Sequence, residues 1–302
     1  MSTSPADRNI LSTPSSDEPR SAKPSFARRL LRSARSLPVL VAFVVLALVV
    51  FLAIFAPWLG TTDPIAIDPG SRFASSSAVH WFGSDAFGRD VYSRLLHGAR
   101  VSLIVGLGAT FASVLLGLVI GVFAGYFPRV DAVVMRVMDG VMAIPSILLA
   151  IALVSLTGAT LVTVLVAIIV PEIPRVVRLV RSVILNVRSE AYVEAAILLG
   201  TPMWRMLTRH MVPNTVAPLI VQGTFIFASA ILTEATLSFL GAGLPSEIPS
   251  WGNMMADGRT YFQLYPGLVL YPGIVLALTL LSSNIIGDVL RDLLDPKMAK
   301  RT

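Results

Sequence analysis

The sequence predicts an all-α, polytopic membrane protein with six transmembrane helices and a helical loop on the cytoplasmic side. Hydrophobic residues make up 55% of the 302-residue chain and charged residues only 14%, whereas soluble domains carry about 25% charged residues. Apolar runs long enough to cross a bilayer recur along the chain. The basic residues lie between and beside these runs, which is typical of membrane topology and not of the basic stripe of a nucleic-acid-binding protein.

The N-terminal segment, residues 1–37, is predicted to be a cytoplasmic tail. Its first part is rich in Ser and Pro and has no apolar periodicity, which indicates disorder. From Phe26 the tail becomes basic and amphipathic, and this stretch is either a helix on the membrane surface or the charged flank that orients the first span. Residues 38–56 are predicted to be the first transmembrane helix, because Val39 to Ala56 is an uninterrupted apolar run of 18 residues.

The predicted core, residues 99–290, contains the other five spans. The fourth span of the chain is interrupted by Pro171, Glu172 and Pro174, so a kink or an early exit from the membrane is expected there. Residues 291–302 are predicted to be a cytoplasmic C-terminal tail. The five spans are expected at residues 101–125, 138–157, 160–180, 215–240 and 268–288.

The distribution of basic residues predicts that both termini face the cytoplasm. Of the 24 Lys and Arg residues, 19 fall in the two tails and the inner loops of this arrangement. Such an excess marks the cytoplasmic side of a membrane protein. The other five lie in the predicted outer segments: Arg72, Arg89, Arg94, Arg100 and Arg259.

The predicted extracytoplasmic segment, residues 57–98, has the composition of ordered turns at a membrane interface. Trp58 and Trp81 are aromatic residues of the kind that anchor a protein at this level. Gly83 and Gly88 permit tight turns, and Asp90 is expected to cap the helix that follows.

Several kinds of chemistry are excluded by residue type. The chain has no cysteine, so it holds no disulfide and no thiolate metal site. None of its lysines follows a glycine, so it has no phosphate-binding loop for ATP. The histidines His80, His97 and His210 fall in different loops and form no recognisable catalytic or metal-binding motif. The chain is therefore not expected to be an enzyme or to hold a cofactor or metal of its own.

The longest inner loop, residues 181–213, has the composition of a helical hairpin. Helix-forming residues continue to Leu199, and Gly200 is expected to stop the helix. Thr201 is then expected to cap a second short helix whose first residue is Pro202. A helical hairpin outside the bilayer presents a face to another molecule.

This loop resembles the EAA loop of permease subunits in bacterial ABC importers. The matching residues are Glu194-Ala195-Ala196, Gly200 at the expected distance, and the run from His210 to Pro213. In that family, the short helix of the loop docks in a groove of the ATPase and transmits its closure. The resemblance therefore implies that Glu194 to Gly200 is the coupling segment, and that Arg205 and Arg209 contact the ATPase or lipid phosphate.

The resemblance extends over most of the chain, apart from the N-terminal tail, and narrows to permeases of dipeptide and oligopeptide importers. It implies the type I ABC importer permease fold in a bacterial inner membrane. Peptides are the implied cargo, and nickel complexes, glutathione and haem remain open. The matching segments include Trp81 to Asp85, Gly88 to Asp90, Leu232 to Ala235, Ser238 to Gly241, Pro249 to Asn253 and Leu294 to Pro296.

The same resemblance implies a set of partners. A second, related permease subunit would complete the translocation pathway, and two cytoplasmic ATPase subunits would bind ATP and magnesium. An extracytoplasmic binding protein would deliver the solute, and membrane lipid would surround the spans. No nucleic acid is implied.

An ion-gradient-driven secondary transporter is the alternative function. Such a carrier places titratable groups within the membrane, and Glu234 in the fifth predicted span is the main candidate for an intramembrane or pathway residue. Its carboxyl group is either a structural partner of neighbouring polar groups or a proton relay.

Overall fold

The computed structural model describes residues 36–294. Within this range the chain forms helices joined by turns, and its one β-type pairing is an isolated bridge between Ser84 and Asp90. The disordered segment predicted for residues 1–25 lies outside the described residues, and so does the basic amphipathic stretch from Phe26 except for Ser36 and Leu37. Most of the predicted C-terminal tail, from residue 295 onward, also lies outside them.

The described α-helices are numbered here in chain order. Short 3-10 turns at Ala56–Trp58, Pro69–Ser71 and Arg259–Tyr261 lie between them. A π-helical turn, Met206–Met211, and a 3-10 turn, Val212–Thr215, follow α7 directly. The α-helices are α1 (Leu37–Phe55), α2 (Val91–Tyr126), α3 (Pro128–Met142), α4 (Ser146–Thr157), α5 (Leu161–Arg188), α6 (Ala191–Leu198), α7 (Met203–Arg205), α8 (Val216–Phe239), α9 (Trp251–Gly258) and α10 (Gly267–Leu294).

The prediction of an all-α polytopic membrane protein is confirmed. In the described range, four helical segments are long and apolar enough to cross a membrane: Leu37–Trp58, Val91–Tyr126, Met203–Phe239 and Gly267–Leu294. The bent pair α3 and α4 forms a fifth candidate. Helix α5 covers the fourth predicted span, but it carries Glu172, Arg175 and Arg178 in its central part, so it is less apolar than the others. The count of six spans stays a prediction.

The third predicted span, residues 138–157, is wrong as a single continuous helix. The structure breaks it between Met142 and Ser146, and the two helices meet at an angle of 88°. The cause is Pro145, which takes an extended conformation as the N-cap of α4. A residue that precedes a proline is driven out of the helical conformation, so α3 ends before Ile144.

The interruption predicted for the fourth span does not break its helix, and an early exit from the membrane stays a prediction. Helix α5 runs for 28 residues through both Pro171 and Pro174. Each proline removes one backbone hydrogen bond from a helix, but the buried face of α5 packs closely against α2 and holds the helix together. The helix therefore continues to Arg188, where the loop hairpin begins.

Two other boundaries differ from the prediction. Helix α2 begins at Val91, well before residue 101, because the carboxylate of Asp90 caps it: its Oδ2 accepts a hydrogen bond of 2.7 Å from the Ser93 amide. This confirms the predicted cap. The predicted turns are also confirmed, since Gly83 and Gly88 both have φ of +77°. Helix α10 continues past residue 290 to Leu294.

Helices α2 and α5 pack so closely that the contacting face of α2 has room only for glycine. Gly117, Gly121 and Gly125 recur every fourth residue and so share one face of α2. A Cβ atom at Gly121 would lie 2.7 Å from the Val180 Cβ and 3.0 Å from the Val177 carbonyl oxygen. Small residues at such spacing allow backbones to pack closely inside a membrane. The two helices therefore form one tightly packed unit.

Candidate functional site

The loop between α5 and α8 forms the predicted helical hairpin, which we call the coupling hairpin (residues 191–211). Helix α6 ends at Leu198, and Gly200 two residues later has φ of +72°. The Gly200 amide donates to the Ile197 carbonyl at 2.9 Å, and the Thr201 amide donates to the Ala196 carbonyl at 3.1 Å. This pair of hydrogen bonds is a Schellman motif, which needs a left-handed residue at the glycine position. The role predicted for Gly200 in ending the helix is confirmed.

The second arm of the hairpin begins one residue later than predicted. Pro202, not Thr201, is the N-cap, and Met203 is the first residue of α7. Pro202 has a ψ of 142°, which is an extended conformation. The chain then makes the π-helical turn and the 3-10 turn containing Pro213 before α8 starts.

The hairpin is held to the rest of the molecule by buried apolar side chains. Val193 of α6 and Met206, Leu207 and Met211 of the second arm lie in one core cluster with Ile184 of α5. Asn214 adds polar contacts, since its side-chain nitrogen donates to the His210 carbonyl at 2.7 Å and to the Tyr192 hydroxyl at 3.3 Å. A displacement of the hairpin is therefore transmitted directly to α5.

The residues predicted to couple lie mostly on the surface. Glu194 and Ala195 are exposed on α6, and Ala196 is half-buried against the core. On the second arm, Arg205 and Arg209 are exposed. Gly200 and Pro213 are also exposed. The structure thus leaves this set free for a partner, apart from the inner side of Ala196.

Sequence reasoning missed the most prominent feature of the hairpin, which is its apolar tip. Leu198 is 88% exposed, Leu199 is 86% exposed and Trp204 is 71% exposed. Ile197 and Met203 beside them are also exposed. In the predicted topology the hairpin lies outside the bilayer, where contiguous exposed apolar residues mark an interaction surface. The signal available in the sequence was the run of large apolar side chains on both sides of Gly200.

Ion pairs fix α5, which leads into the hairpin, to its neighbour α3. Arg178 donates to the Asp139 carboxylate at 2.6 Å, and Arg181 forms a bidentate pair with Asp131. Arg188, the last residue of α5, donates to the carbonyl of Tyr126 at the end of α2 at 3.2 Å. The hairpin is therefore attached to a braced group of three helices.

At the opposite end of the molecule, a buried charge cluster joins the segment before α2 to α9. Arg89 binds Asp85 at 2.6 Å and Asp257 of α9 at 2.7 Å. Arg94 lies 3.6 Å from the same Asp257 and donates to the Ser246 carbonyl at 3.4 Å. Breaking a buried pair of this kind leaves an uncompensated charge. The charges of these side chains are paired with one another, so their role in this arrangement is structural.

Glu234, the predicted intramembrane candidate, is fully buried. Its Oε1 accepts hydrogen bonds from the Ser238 hydroxyl at 2.9 Å and from the Ser250 hydroxyl at 2.8 Å. Its Oε2 has no hydrogen-bond partner among the described residues. Ser250 is also the N-cap of α9, where its hydroxyl accepts from the Asn253 amide. Glu234 therefore connects the end of α8 to the start of α9.

We expect Glu234→Gln to retain transport close to that of the wild type and Glu234→Leu to lose stability. The amide oxygen of Gln can accept from both serine hydroxyls, whereas Leu leaves two buried donors unsatisfied at a cost of about 1–3 kcal/mol. Solute uptake and thermal stability in detergent measure the two effects. A Gln variant that is stable but inactive would contradict the structural role and favour a proton relay.

Comparison with known proteins identifies the chain's relatives. Residues 113–300 match the family described as "Binding-protein-dependent transport system inner membrane component". The chain is 50% identical to a probable peptide ABC transporter permease, y4tQ, of Sinorhizobium fredii, over 83% of this chain and 86% of that protein. It is 40% identical to the dipeptide transport system permease DppC of Alkalihalophilus pseudofirmus (86% of each) and 34% identical to the oligopeptide permease OppC of Bacillus subtilis (90% and 89%).

Proposed function

Because this chain belongs to the family of binding-protein-dependent transport system inner membrane components, we propose that it forms half of the translocation pathway of an ATP-driven importer of dipeptides or oligopeptides. It is an integral inner-membrane permease of an ABC importer, and such permeases work with ATPase and substrate-binding partners. The peptide cargo is proposed from the names of its relatives. The family also favours ATP-driven transport over the ion-gradient alternative.

The proposed complex contains a second, related permease subunit, two ATPase subunits and one extracytoplasmic binding protein. ATP and magnesium belong to the ATPases, and this chain performs no catalysis. Both termini are placed in the cytoplasm, which puts the coupling hairpin on the same side as the ATPases. The basic inner segments support this orientation.

The single observation that carries the proposal is the exposed apolar tip of the coupling hairpin. A groove on the ATPase surface would bury Leu198, Leu199 and Trp204, while Glu194, Arg205 and Arg209 would lie at its polar rim. Interfaces commonly combine an apolar centre with a polar rim. Closure of the two ATPases on ATP would then move the hairpin and, through its buried side chains, α5.

Alternating access follows from this connection. Helix α5 is packed closely on α2, and α2 carries Arg94 of the outer charge cluster, so the proposal treats the three parts as one moving unit. A displacement at the hairpin would thus reach the outer end of the pathway. A transition of this kind is a rigid-body movement between two packed states.

We expect Leu198→Asp to weaken coupling strongly without affecting the fold. The side chain is almost fully exposed in the described structure, so a carboxylate there costs little in the isolated subunit, but burial against the ATPase would desolvate it. The complex is purified by a tag on this chain, and we expect recovery of the ATPases and solute-stimulated ATP hydrolysis to fall about tenfold, which corresponds to about 1.4 kcal/mol.

Val79→Asp is the matched control, because Val79 is 72% exposed in the outer segment. This variant should retain the ATPases and their stimulation. Normal ATPase recovery and normal uptake in Leu198→Asp would contradict the docking role of the tip. Uptake of labelled dipeptides, tripeptides, nickel complexes, glutathione and haem by the wild-type complex tests the proposed cargo separately.

A further inference from the structure

Four helices, α1, α2, α8 and α10, line an open apolar cleft of about 890 Å³. Its walls are aliphatic and aromatic side chains that include Val50, Ile54, Ile104 and Phe227. Arg100 is the one charged residue among the described residues that line it. The charge cluster and Glu234 lie elsewhere, so the cleft is separate from the features described above.

Arg100 is exposed, and it makes no hydrogen bond or ion pair with the residues that the structure describes. The two preceding arginines of this region behave differently, since Arg89 and Arg94 are buried and paired with carboxylates. Arginines near the ends of membrane helices extend their charged group into the interface, where lipid phosphates lie. The guanidinium group of Arg100 is therefore available to an anion from outside this chain.

The position of Arg100 along α2 matches the level of lipid headgroups. It directly precedes the apolar run of α2 that starts at Val101. Across the cleft it faces the end of α1, where Ile54 lies one turn before Trp58, the exposed last residue of the 3-10 turn. Tryptophan is enriched at the interface between headgroups and hydrocarbon. The guanidinium group can thus reach a phosphate at this level.

The rest of the cleft suits a hydrocarbon chain better than a peptide. A peptide brings backbone amides that need hydrogen-bond partners. The hydroxyls lining the cleft already donate to backbone carbonyls: Thr110 to Gly106 at 2.7 Å, Thr224 to Val221 at 2.8 Å and Ser283 to Thr224 at 3.4 Å. An acyl chain requires no such partners. From Arg100 to Val114 the cleft extends about 21 Å along α2, at about 1.5 Å per residue. One leaflet is half of a hydrocarbon core of about 30 Å, so the cleft is long enough to hold an acyl chain of that leaflet.

We propose that this cleft binds an anionic phospholipid of the outer leaflet, with its phosphate on Arg100 and one acyl chain between α1, α2, α8 and α10. Arginine binds phosphate through charge-assisted, bidentate hydrogen bonds. A zwitterionic lipid places a cationic group beside its phosphate and offsets this attraction. The lipid would fill the space between α1 and α8 and so support the attachment of α1 to the core.

The test measures lipid that remains with the intact transport complex after purification in mild detergent. Membranes that contain phosphatidylglycerol and phosphatidylethanolamine are used, and mass spectrometry gives the number of each lipid per complex. We expect the wild type to retain phosphatidylglycerol selectively, and Arg100→Gln to retain about tenfold less. Arg129→Gln is the control, because Arg129 is an exposed arginine outside the cleft, and it should retain the wild-type amount.

A second variant separates the acyl chain from the charge. Ile104→Trp fills part of the cleft and leaves Arg100 in place, so we expect it also to lose phosphatidylglycerol. Equal retention in Arg100→Gln and the wild type would overturn the proposal. A photo-cross-linker at Ile104 is expected to label lipid; labelling of the second permease subunit instead would show that a protein covers the cleft and would overturn it as well. All three readouts are independent of which solute is transported.

Discussion

Gly121→Ala is expected to lower the thermal stability and the membrane yield of this permease strongly, although it adds only one methyl group. The new Cβ would lie 2.7 Å from the Val180 Cβ and 3.0 Å from the Val177 carbonyl oxygen, so α2 and α5 would have to separate. Overpacking of a tight interface costs about 1–3 kcal/mol. The cost is at the upper end here because part of the contact is backbone, which cannot rotate away.

Gly140→Ala is the matched control for this substitution. Gly140 also lies within a helix, α3, but a Cβ there would meet nothing within 4 Å. Since alanine favours a helix over glycine by about 1 kcal/mol, Gly140→Ala should leave stability unchanged or raise it slightly. Thermal unfolding in detergent, followed by size-exclusion chromatography, measures both variants. Equal melting temperatures for the two would contradict the close approach of α2 and α5.

Gly200→Val is expected to cut solute uptake and solute-stimulated ATP hydrolysis about tenfold or more while membrane insertion stays normal. No atom would obstruct the new side chain, because a Cβ at this position meets nothing within 4 Å. The effect comes from the backbone: a β-branched residue at φ of +72° is strained by about 1–3 kcal/mol. The hairpin would relieve this strain by changing the angle between its two arms, which misplaces the apolar tip.

Gly241 provides a close control for Gly200. It ends α8 with φ of +81°, also has no atom within 4 Å of its Cβ position, and its two capping hydrogen bonds follow the same pattern. Gly241→Val therefore imposes similar strain at the other end of the molecule. If the hairpin couples transport to ATP hydrolysis, Gly200→Val should lose the stimulation of ATP hydrolysis by solute, and Gly241→Val should keep it. Normal coupling in Gly200→Val would rule out the assignment of residues 194–200.

Much of the fold could be predicted from the sequence because lipid imposes a simple rule. Long apolar runs must be helical, since every backbone group in hydrocarbon needs an internal partner. Local signals were equally informative where one residue decides the backbone, as Asp90 does at the start of α2 and Gly200 at the end of α6. These features depend on neighbours in the chain alone.

The remaining features depend on contacts between distant segments. Pro145 breaks a predicted span, whereas Pro171 and Pro174 do not break α5, whose buried face packs closely against the glycines of α2. Periodicity cannot distinguish these cases. In the same way, the exposure of Leu198 and Trp204 follows from how the hairpin folds back on its core, and the isolation of Arg100 follows from which carboxylates reach Arg89 and Arg94 instead.

The apolar tip of the coupling hairpin also has a consequence for the life of the protein in the cell. In the proposed orientation, a newly made subunit that has inserted in the membrane but has not met its ATPases would display Leu198, Leu199 and Trp204 to water. Chaperones and membrane proteases recognise such surfaces in unassembled proteins. The abundance of this permease should therefore follow the supply of its ATPases, so that cells lacking them degrade the surplus and keep the subunits in balance without separate regulation.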